Sequence, residues 1–353
     1  MKFGKITLST FAVMLAVLLS QPVFAQDSNK QYKAFGIAFY NLENLFDTIN
    51  NNGKYDLEFS PQGKNKWDGN KYRSKIKNMS YAISQMTSKL TPMGPAIIGV
   101  SEVENKSVLD DLVKADAIKS WMLQVIHHDS PDRRGIDVGL LYNPRYFKPI
   151  NVTNHALVIP QLPDFRTRDQ LCVVGLLGGE RIGVIVNHWP SRRGGAEQSS
   201  YLREAAAELS KHIADSLLSI DPNIGIVIMG DLNDDPNNKS CAETLGAKKK
   251  ENEVVEGGFF NPFWQKLSDG IGSYCYRGGW DLFDQIIINW NLLKNGRSGL
   301  NFLKAEVFNR EFLKQQDGQY KGYPHRTFSG GVWTNGYSDH FPTQIFLIKE
   351  VNN

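Results

Sequence analysis

The carboxylates, amides and histidines of this chain gather in a few short stretches. "FYNLEN" carries Asn41 and Glu43, "GVSEVEN" carries Glu102 and Glu104, and "VNHWPSR" carries His188. "MGDLNDDP" carries Asp231 and Asn233, "WDLFDQIIIN" carries Asp284, and "YSDHFP" carries Asp339 and His340. Asp, Asn, Gly and Pro are the usual turn formers, so one such stretch alone reads as a turn. Repetition at the ends of apolar runs needs a further reason, because crowded carboxylates repel and lose hydration near a sheet edge. If these ends converge, the donor types set the chemistry. Carboxylate and amide oxygens without thiols suit Mg²⁺ or Mn²⁺, with Ca²⁺ as a third hard cation. Histidine beside an acid suits proton transfer near neutral pH. An amide can donate to a phosphoryl oxygen as charge builds on it. A dication, a base for water and an acid for the leaving oxygen together describe phosphoester hydrolysis.

The elements that must hold these residues are short and β-rich. "AFGIAFY", "AIIGVSE", "MLQVIHH", "IDVGLLY", "QLCVVGLL", "RIGVIVNHW", "NIGIVIMGD", "FDQIIIN" and "TQIFLI" read as strands. "SKIKNMSYAISQMTSKL" has helical spacing, and "EVENKSVLDDL" begins a second helix. "QSSYLREAAAELSKHIADSLLSI" is the clearest helix, with Leu202, Ala205, Ala206, Leu209, Ile213 and Leu217 on one face. Strand–helix–strand units alternate with bare strand pairs, which is an α/β pattern. No repeat and no linker rich in Pro, Gly or Ser interrupts it, so one domain is expected over residues 33–350.

With 353 residues and 22% charged side chains, the composition is that of an ordinary globular protein. A net charge of +3 is too weak to argue nucleic-acid binding from the overall field. Residues 1–25 have the layout of a cleavable secretory signal: two lysines, an apolar stretch and "QPVFA". The expected location is therefore outside the cytoplasm, periplasmic or extracellular. No later segment is long and apolar enough to span a membrane as a helix. Cys172, Cys241 and Cys275 allow at most one internal disulfide and form no framework. The loop "DTINNNGKYDLEF" places Asp47, Asn51 and Glu58 at EF-hand offsets, but its glycine is one position late and Ile49 takes a ligand place.

In order and spacing, "FYNLEN", "GVSEVEN", "RRGIDVGLLY", "VNHWPSR", "MGDLNDDP", "WDLFDQIIIN" and "YSDHFP" resemble the endonuclease/exonuclease/phosphatase superfamily over nearly the whole chain after the signal. That superfamily includes pancreatic-type deoxyribonucleases, abasic-site endonucleases, sphingomyelinases and inositol polyphosphate phosphatases. The flavour is that of secreted Bacteroidetes-type members. The resemblance implies a four-layer α/β/β/α sandwich of two packed mixed sheets with outer helices, and a site at one edge.

It also implies roles. Glu102 and Asn41 match metal-binding positions, and Asp339 an acid of the metal or water network. Asp231 matches the residue that orients or deprotonates water, and Asn233 the donor to the phosphoryl oxygen. His340 matches the histidine near the scissile phosphate, and Asp284 the carboxylate that orients it. His188 matches a second histidine, which pancreatic-type nucleases pair with a glutamate on the neighbouring strand. Here that place is taken by Ile136, with Asp137 one step off and facing the other way. Arg134 and Arg192, with Arg133 and Arg193 beside them, are placed to meet phosphate. Tyr274, Tyr276, Trp280, Trp333 and Tyr337 either stack on bases or pack among glycines. The expected activity is an exported, metal-dependent phosphodiesterase acting on nucleic acid or another phosphodiester, with no stable protein partner implied. The alternatives are a phosphatase or phospholipase acting on lipid or inositol phosphates, and a non-catalytic binding protein on the same scaffold.

Overall fold

Most of the apolar runs are buried on both faces, and this is why they lack strict alternation. The computed structural model describes residues 31–49, 57–294 and 296–351; the expected signal, residues 1–25, and Asn51 of the polar loop lie outside them. The chain forms β1 (Gln31–Leu45), α1 (Gly69–Ser84), β2 (Ile97–Val103), α2 (Lys106–Lys114), β3 (Gln124–His127) and β4 (Asp137–Tyr142). It continues through β5 (Phe147–His155), β6 (Gln170–Leu177), β7 (Glu180–His188), α3 (Ser200–Ile220) and β8 (Gly225–Asp231). Then follow β9 (Phe259–Phe260), α4 (Phe263–Ser268), β10 (Tyr274–Tyr276), β11 (Gly279–Asp281) and β12 (Asp284–Asn289). The last elements are β13 (Leu300–Val307), β14 (Phe328–Ser329), β15 (Val332–Trp333) and β16 (Thr343–Val351).

Two mixed six-stranded sheets result, ordered β13-β16-β1-β2-β4-β3 and β5-β6-β7-β8-β12-β9. They pack face to face through Ile37, Phe39 and Val100 of the first and Val184, Val227 and Ile286 of the second. Alternate residues of the second sheet, Ile185, Ile226, Ile228 and Ile287, turn the other way and meet α3. α1 and α2 bury Met79, Ala82, Ile83, Val108, Leu109 and Leu112 on the first sheet's side. The result is the α/β/β/α sandwich. Gly99 packs against the other sheet, where a Cβ would lie 2.8 Å from the Met229 Cε and displace that side chain.

Two helices differ from their sequence reading. α1 begins five residues before the apolar spacing does, because Asp68 caps it: its Oδ1 accepts the amides of Asn70 at 3.0 Å and Lys71 at 2.9 Å. α3 is rotated from its aliphatic stripe, and buries Arg203 and Ser210 along with Ala206, Ala207, Ile213 and Ala214. Leu202, Ala205, Leu209 and Leu217 only flank that contact. The rotation has a polar cause. Arg203 Nε lies 2.7 Å from Asp234 Oδ1, and Ser210 Oγ donates to Gln170 Oε1 at 2.8 Å. All three cysteines are free, with Cys172 and Cys241 buried.

Candidate active site

Strand register builds one half of the site. β7 and β8 run parallel with His188 opposite Asp231, and β12 runs antiparallel to β8 with Asp284 opposite the same Asp231. Directly opposed residues on neighbouring strands point to the same face. His188, Asp231 and Asp284 therefore stand in a row across three strands. His188 Nε2 lies 3.5 Å from Asp231 Oδ2.

The first sheet supplies the other half. Asn41 on β1 reaches across and donates to Asp231 Oδ2 at 3.0 Å, while its own Oδ1 accepts the Glu43 amide at 2.8 Å. On the next strand the ladder breaks between Ser101 and Val103, and Glu102 adopts a left-handed φ of +58°. A non-glycine residue there costs roughly 1–2 kcal/mol, and a bulge re-aims its side chain. Glu102 Oε2 accepts the Asn44 amide at 3.0 Å and faces the Arg134 guanidinium at 3.4 Å. Glu102 is not a helix-initiating acid, since α2 starts at Lys106 under an Asn105 cap. Asn233, also left-handed at +51°, donates its backbone amide to Asp231 Oδ1 at 3.1 Å and its side chain to the Trp189 carbonyl at 3.0 Å.

The loop before β16 closes the row. His340 Nδ1 sits 2.6 Å from Asp284 Oδ2, and its Nε2 lies 3.9 Å from Asp231 and 4.0 Å from Asp339. Ser273 Oγ donates to the same Asp284 oxygen at 2.5 Å. Ser338 Oγ donates to the Asn41 carbonyl at 2.7 Å and so ties this loop to β1. Tyr274 lies against the His340 ring at 4.9 Å between centroids.

Burial sets the electrostatics. It pushes the Asp231 carboxyl up to about 6, with Asp284 and Glu102 adding to the rise and His340 opposing it. Burial opposes charge on His340 as well, but Asp284 and Asp231 outweigh it and hold the imidazole well above its usual range. For His188 burial acts together with Arg168, Arg134 and His340, so its pKa falls well below the usual value. The two histidines thus separate into a charged and a neutral one. His188 Nδ1 is buried without a hydrogen-bond partner, as is Asp284 Oδ1.

The residues fit a hard dication. Glu102, Asn41 and Asp339 offer carboxylate and amide oxygens with no thiol, and a guanidinium already stands beside Glu102. A second His/Asp grouping was not expected from the sequence: His127, Asp129 and Asp137. Asp137 Oδ2 lies 3.1 Å from His127 Nε2, and its Oδ1 accepts the Ser130 amide at 2.8 Å. That carboxylate holds the loop carrying Arg134 and does not pair with His188. Ile136 is fully buried, so the glutamate partner of pancreatic-type nucleases has no counterpart there.

Of the two arginines expected at phosphate, Arg134 lies beside Glu102, whereas Arg192 is engaged by protein acceptors. The Arg192 Nε donates to the Asn233 carbonyl at 2.9 Å, and the remaining nitrogens to Asp281 at 3.1 Å, Asn238 at 2.9 Å and Asp235 at 3.3 Å. Its guanidinium also lies over Phe283 at 4.5 Å. With its donors directed to protein acceptors, it braces the Asn233 loop. Arg133 turns away to the Asp164 carbonyl. Trp333 packs against Trp67, and Tyr337 against Phe312.

Three contributors had been given no role from the sequence, and two of them, Lys75 and Arg326, had not been singled out. Glu43, left-handed at +45°, accepts from Arg326 at 3.1 Å and from the Thr327 amide at 2.6 Å. Arg326 also donates to Asp339 Oδ2 at 2.9 Å. Lys75 is fully buried, 4.0 Å from Glu43, and donates to Thr327 Oγ1 at 2.6 Å. A lysine on an amphipathic helix reads as surface, so no sequence signal marked Lys75. For Arg326 the nearby "SDH" stretch was the available hint.

The match to the Endonuclease/Exonuclease/phosphatase family model spans residues 36–349, and the chain belongs to that family. No curated protein sequence matches it. Solved structures share its fold at low identity. D. rerio TDP2 complexed with a single-strand DNA product is 11% identical with a TM-score of 0.54, covering 89% of this chain and 98% of that one. An endonuclease/exonuclease/phosphatase family protein of Bacteroides thetaiotaomicron is 14% identical with a TM-score of 0.54, covering 91% and 100%. A mannosyl-6-phosphatase of the same organism is 15% identical with a TM-score of 0.53, covering 89% and 99%.

Proposed function

We propose that this protein is an exported, divalent-metal-dependent phosphodiesterase, a nuclease that hydrolyses its substrate by direct attack of water. The observation that carries this reading is the row His188–Asp231–Asp284, faced by Asn41 and closed by His340. Glu102, Asn41 and Asp339 would hold Mg²⁺ or Mn²⁺, which when bound polarises a phosphoryl oxygen. Asp231, at about 6, is mostly ionised at neutral pH and basic enough to take a proton from water. Asn233 keeps one N–H beyond its bond to Trp189 and directs it to the phosphoryl oxygen. His340 carries its positive charge toward the phosphate, oriented by Asp284. His188 is neutral and acts as a hydrogen-bond donor, which supports a binding role over that of an acid. Arg134, half exposed, adds positive charge at the rim.

A phosphomonoesterase is the second reading, since one protein of like fold is a mannosyl-6-phosphatase. A non-catalytic scaffold fits less well, because each polar position keeps its chemistry. Purified protein should hydrolyse bis-p-nitrophenyl phosphate faster than p-nitrophenyl phosphate with Mg²⁺ or Mn²⁺, and chelator should stop it. Turnover of the monoester alone would overturn the diesterase reading. Export rests on residues 1–25, and retention of the whole chain in the cytoplasm of its host would exclude it.

A further inference from the structure

Beside the catalytic row the chain builds a pocket that belongs to neither large sheet. The hairpin β10–β11 forms one wall, and the segment from Gln315 to Tyr323 forms the other. The pocket encloses about 840 Å³, and its lining includes Tyr276, Arg277, Gln315, Gln319, Tyr320 and Tyr323. Its lining also includes Arg326 and Asp339, and Asp339 Oδ1 lies 4.0 Å from His340 Nε2. Tyr276 and Tyr320 are about half exposed. Tyr320 and Tyr323 lie 5.7 Å apart, and Trp280 lies 6.1 Å from Tyr323. Large rings left open together, with cations among them, form a stacking surface.

Arg277 lines the same pocket. It occupies the hairpin tip with φ +50°, followed by Gly278 at +88°. Two successive positive φ values are those of a type I′ turn, which favours Asn, Asp or Gly at the first position. Arginine is strained there. Its guanidinium lies over the Tyr276 ring at 5.1 Å.

We propose that this pocket receives the unpaired base of the nucleotide that bears the scissile phosphate, so the substrates are single-stranded or terminal nucleotides. The inference rests on the phosphodiesterase reading and narrows it. A cavity of this size takes roughly one or two nucleotides. The tyrosines stack the base, Arg277 stacks or meets a neighbouring phosphate, and the glutamines meet the base edge. A base inside a duplex reaches such a pocket only after leaving its stack.

The test compares three DNA substrates of one sequence: a single strand, the same strand with an abasic terminal nucleotide, and a closed circular duplex. Bis-p-nitrophenyl phosphate is the control for chemistry. Wild type should cleave the base-bearing strand over its abasic form by roughly tenfold in kcat/KM. In Tyr320→Ala and Arg277→Gly that ratio should fall toward one; the glycine suits the turn, so folding is not the cause. Calorimetric binding of deoxyadenosine 3′,5′-bisphosphate should weaken in both variants, and this readout needs no turnover. Loss of activity on every diester, the control included, overturns the phosphodiesterase reading and the substrate assignment with it. Hydrolysis of the control with no base preference, or equal cleavage of the duplex circle, overturns the pocket assignment alone. Tighter binding of mannose 6-phosphate than of the nucleotide would assign the pocket to a sugar instead.

Discussion

Asp284 Oδ2 lies 2.6 Å from His340 Nδ1, and the same oxygen accepts Ser273 Oγ at 2.5 Å. Two donors on one buried oxygen fix both the imidazole's tautomer and its charge. The nitrogen left over, Nε2, points toward Asp231 and Asp339. The pair therefore acts as one group.

His340→Ala should lower kcat by roughly 10²-fold or more with little change in KM, because the charge acts on the transition state. Asp284→Asn should be milder, since the imidazole remains. The double variant should be hardly worse than His340→Ala alone, and excess metal should rescue none of the three. If the two losses multiply in steady-state kinetics, the dyad assignment is wrong.

Glu102 sits 3.4 Å from Arg134, so under the proposed function a dication held by Glu102 would share its carboxylate with the guanidinium. Glu102→Gln should weaken Mn²⁺ binding by roughly 10–100-fold, with partial rescue of activity by excess metal. Arg134→Ala should do the opposite to the metal, tightening it several-fold, while raising KM for substrate. Calorimetry with Mn²⁺ checks both. Weaker metal binding in Arg134→Ala would show that Arg134 supports the donor set.

The row on the second sheet was legible because strand ends and polar residues coincide in the sequence: "GVIVNH", "IMGD" and "FDQIII" each join an apolar run to its functional residue. Alternation along β4 set Asp137 off from His188, but spacing along a chain does not carry long-range side-chain partners, and so Arg192 could not be placed. Asp137 starts β4 and turns to its own loop, and Arg192 is drawn to carboxylates about 40–90 residues away in the chain. The network of buried Glu43 and Lys75 with half-exposed Arg326 joins segments more than 250 residues apart. No local pattern announces a contact of that range. Arg203 was hidden for another reason: the aliphatic stripe of α3 is real, but the charge at Asp234 decides which face turns inward.

Arg203→Met should therefore be costly although it keeps much of the volume. It leaves buried Asp234 with one cation, the more distant Arg192 at 3.4 Å, and the Ser240 hydroxyl at 2.7 Å. Removing one partner of a buried ion pair costs about 3–5 kcal/mol. Denaturant unfolding should show a loss of that order. Because Asp234 follows Asn233 directly, kcat should fall as well in the fraction that remains folded. A loss below about 1 kcal/mol would mean that Arg192 and Ser240 already satisfy Asp234.

The two histidines should give the metal-free protein opposite pH responses. The folded pKa of His188 lies well below its unfolded value near 6.5, chiefly because of burial. Above about pH 6.5 both states leave it neutral and it adds no pH dependence. Below that, the unfolded chain takes up a proton that the folded one refuses, so stability is lost as pH falls toward the folded pKa, by up to about 1.4 kcal/mol per unit. His340 is raised, so its contribution is complete below about pH 6.5 and is lost as pH rises through its folded pKa. Asp231 and Glu43, raised to about 6 and about 7, oppose His188 by gaining stability on acidification. The wild-type curve alone therefore mixes these terms, and the difference from a variant separates them. His188→Gln should gain stability relative to wild type between about pH 7.5 and pH 5, and His340→Gln should lose its relative deficit as pH rises above neutral. Denaturant unfolding in chelator at several pH values reads both differences. A stability difference for His188→Gln that stays constant with pH would mean that His188 is as free to charge in the folded chain as in the unfolded one.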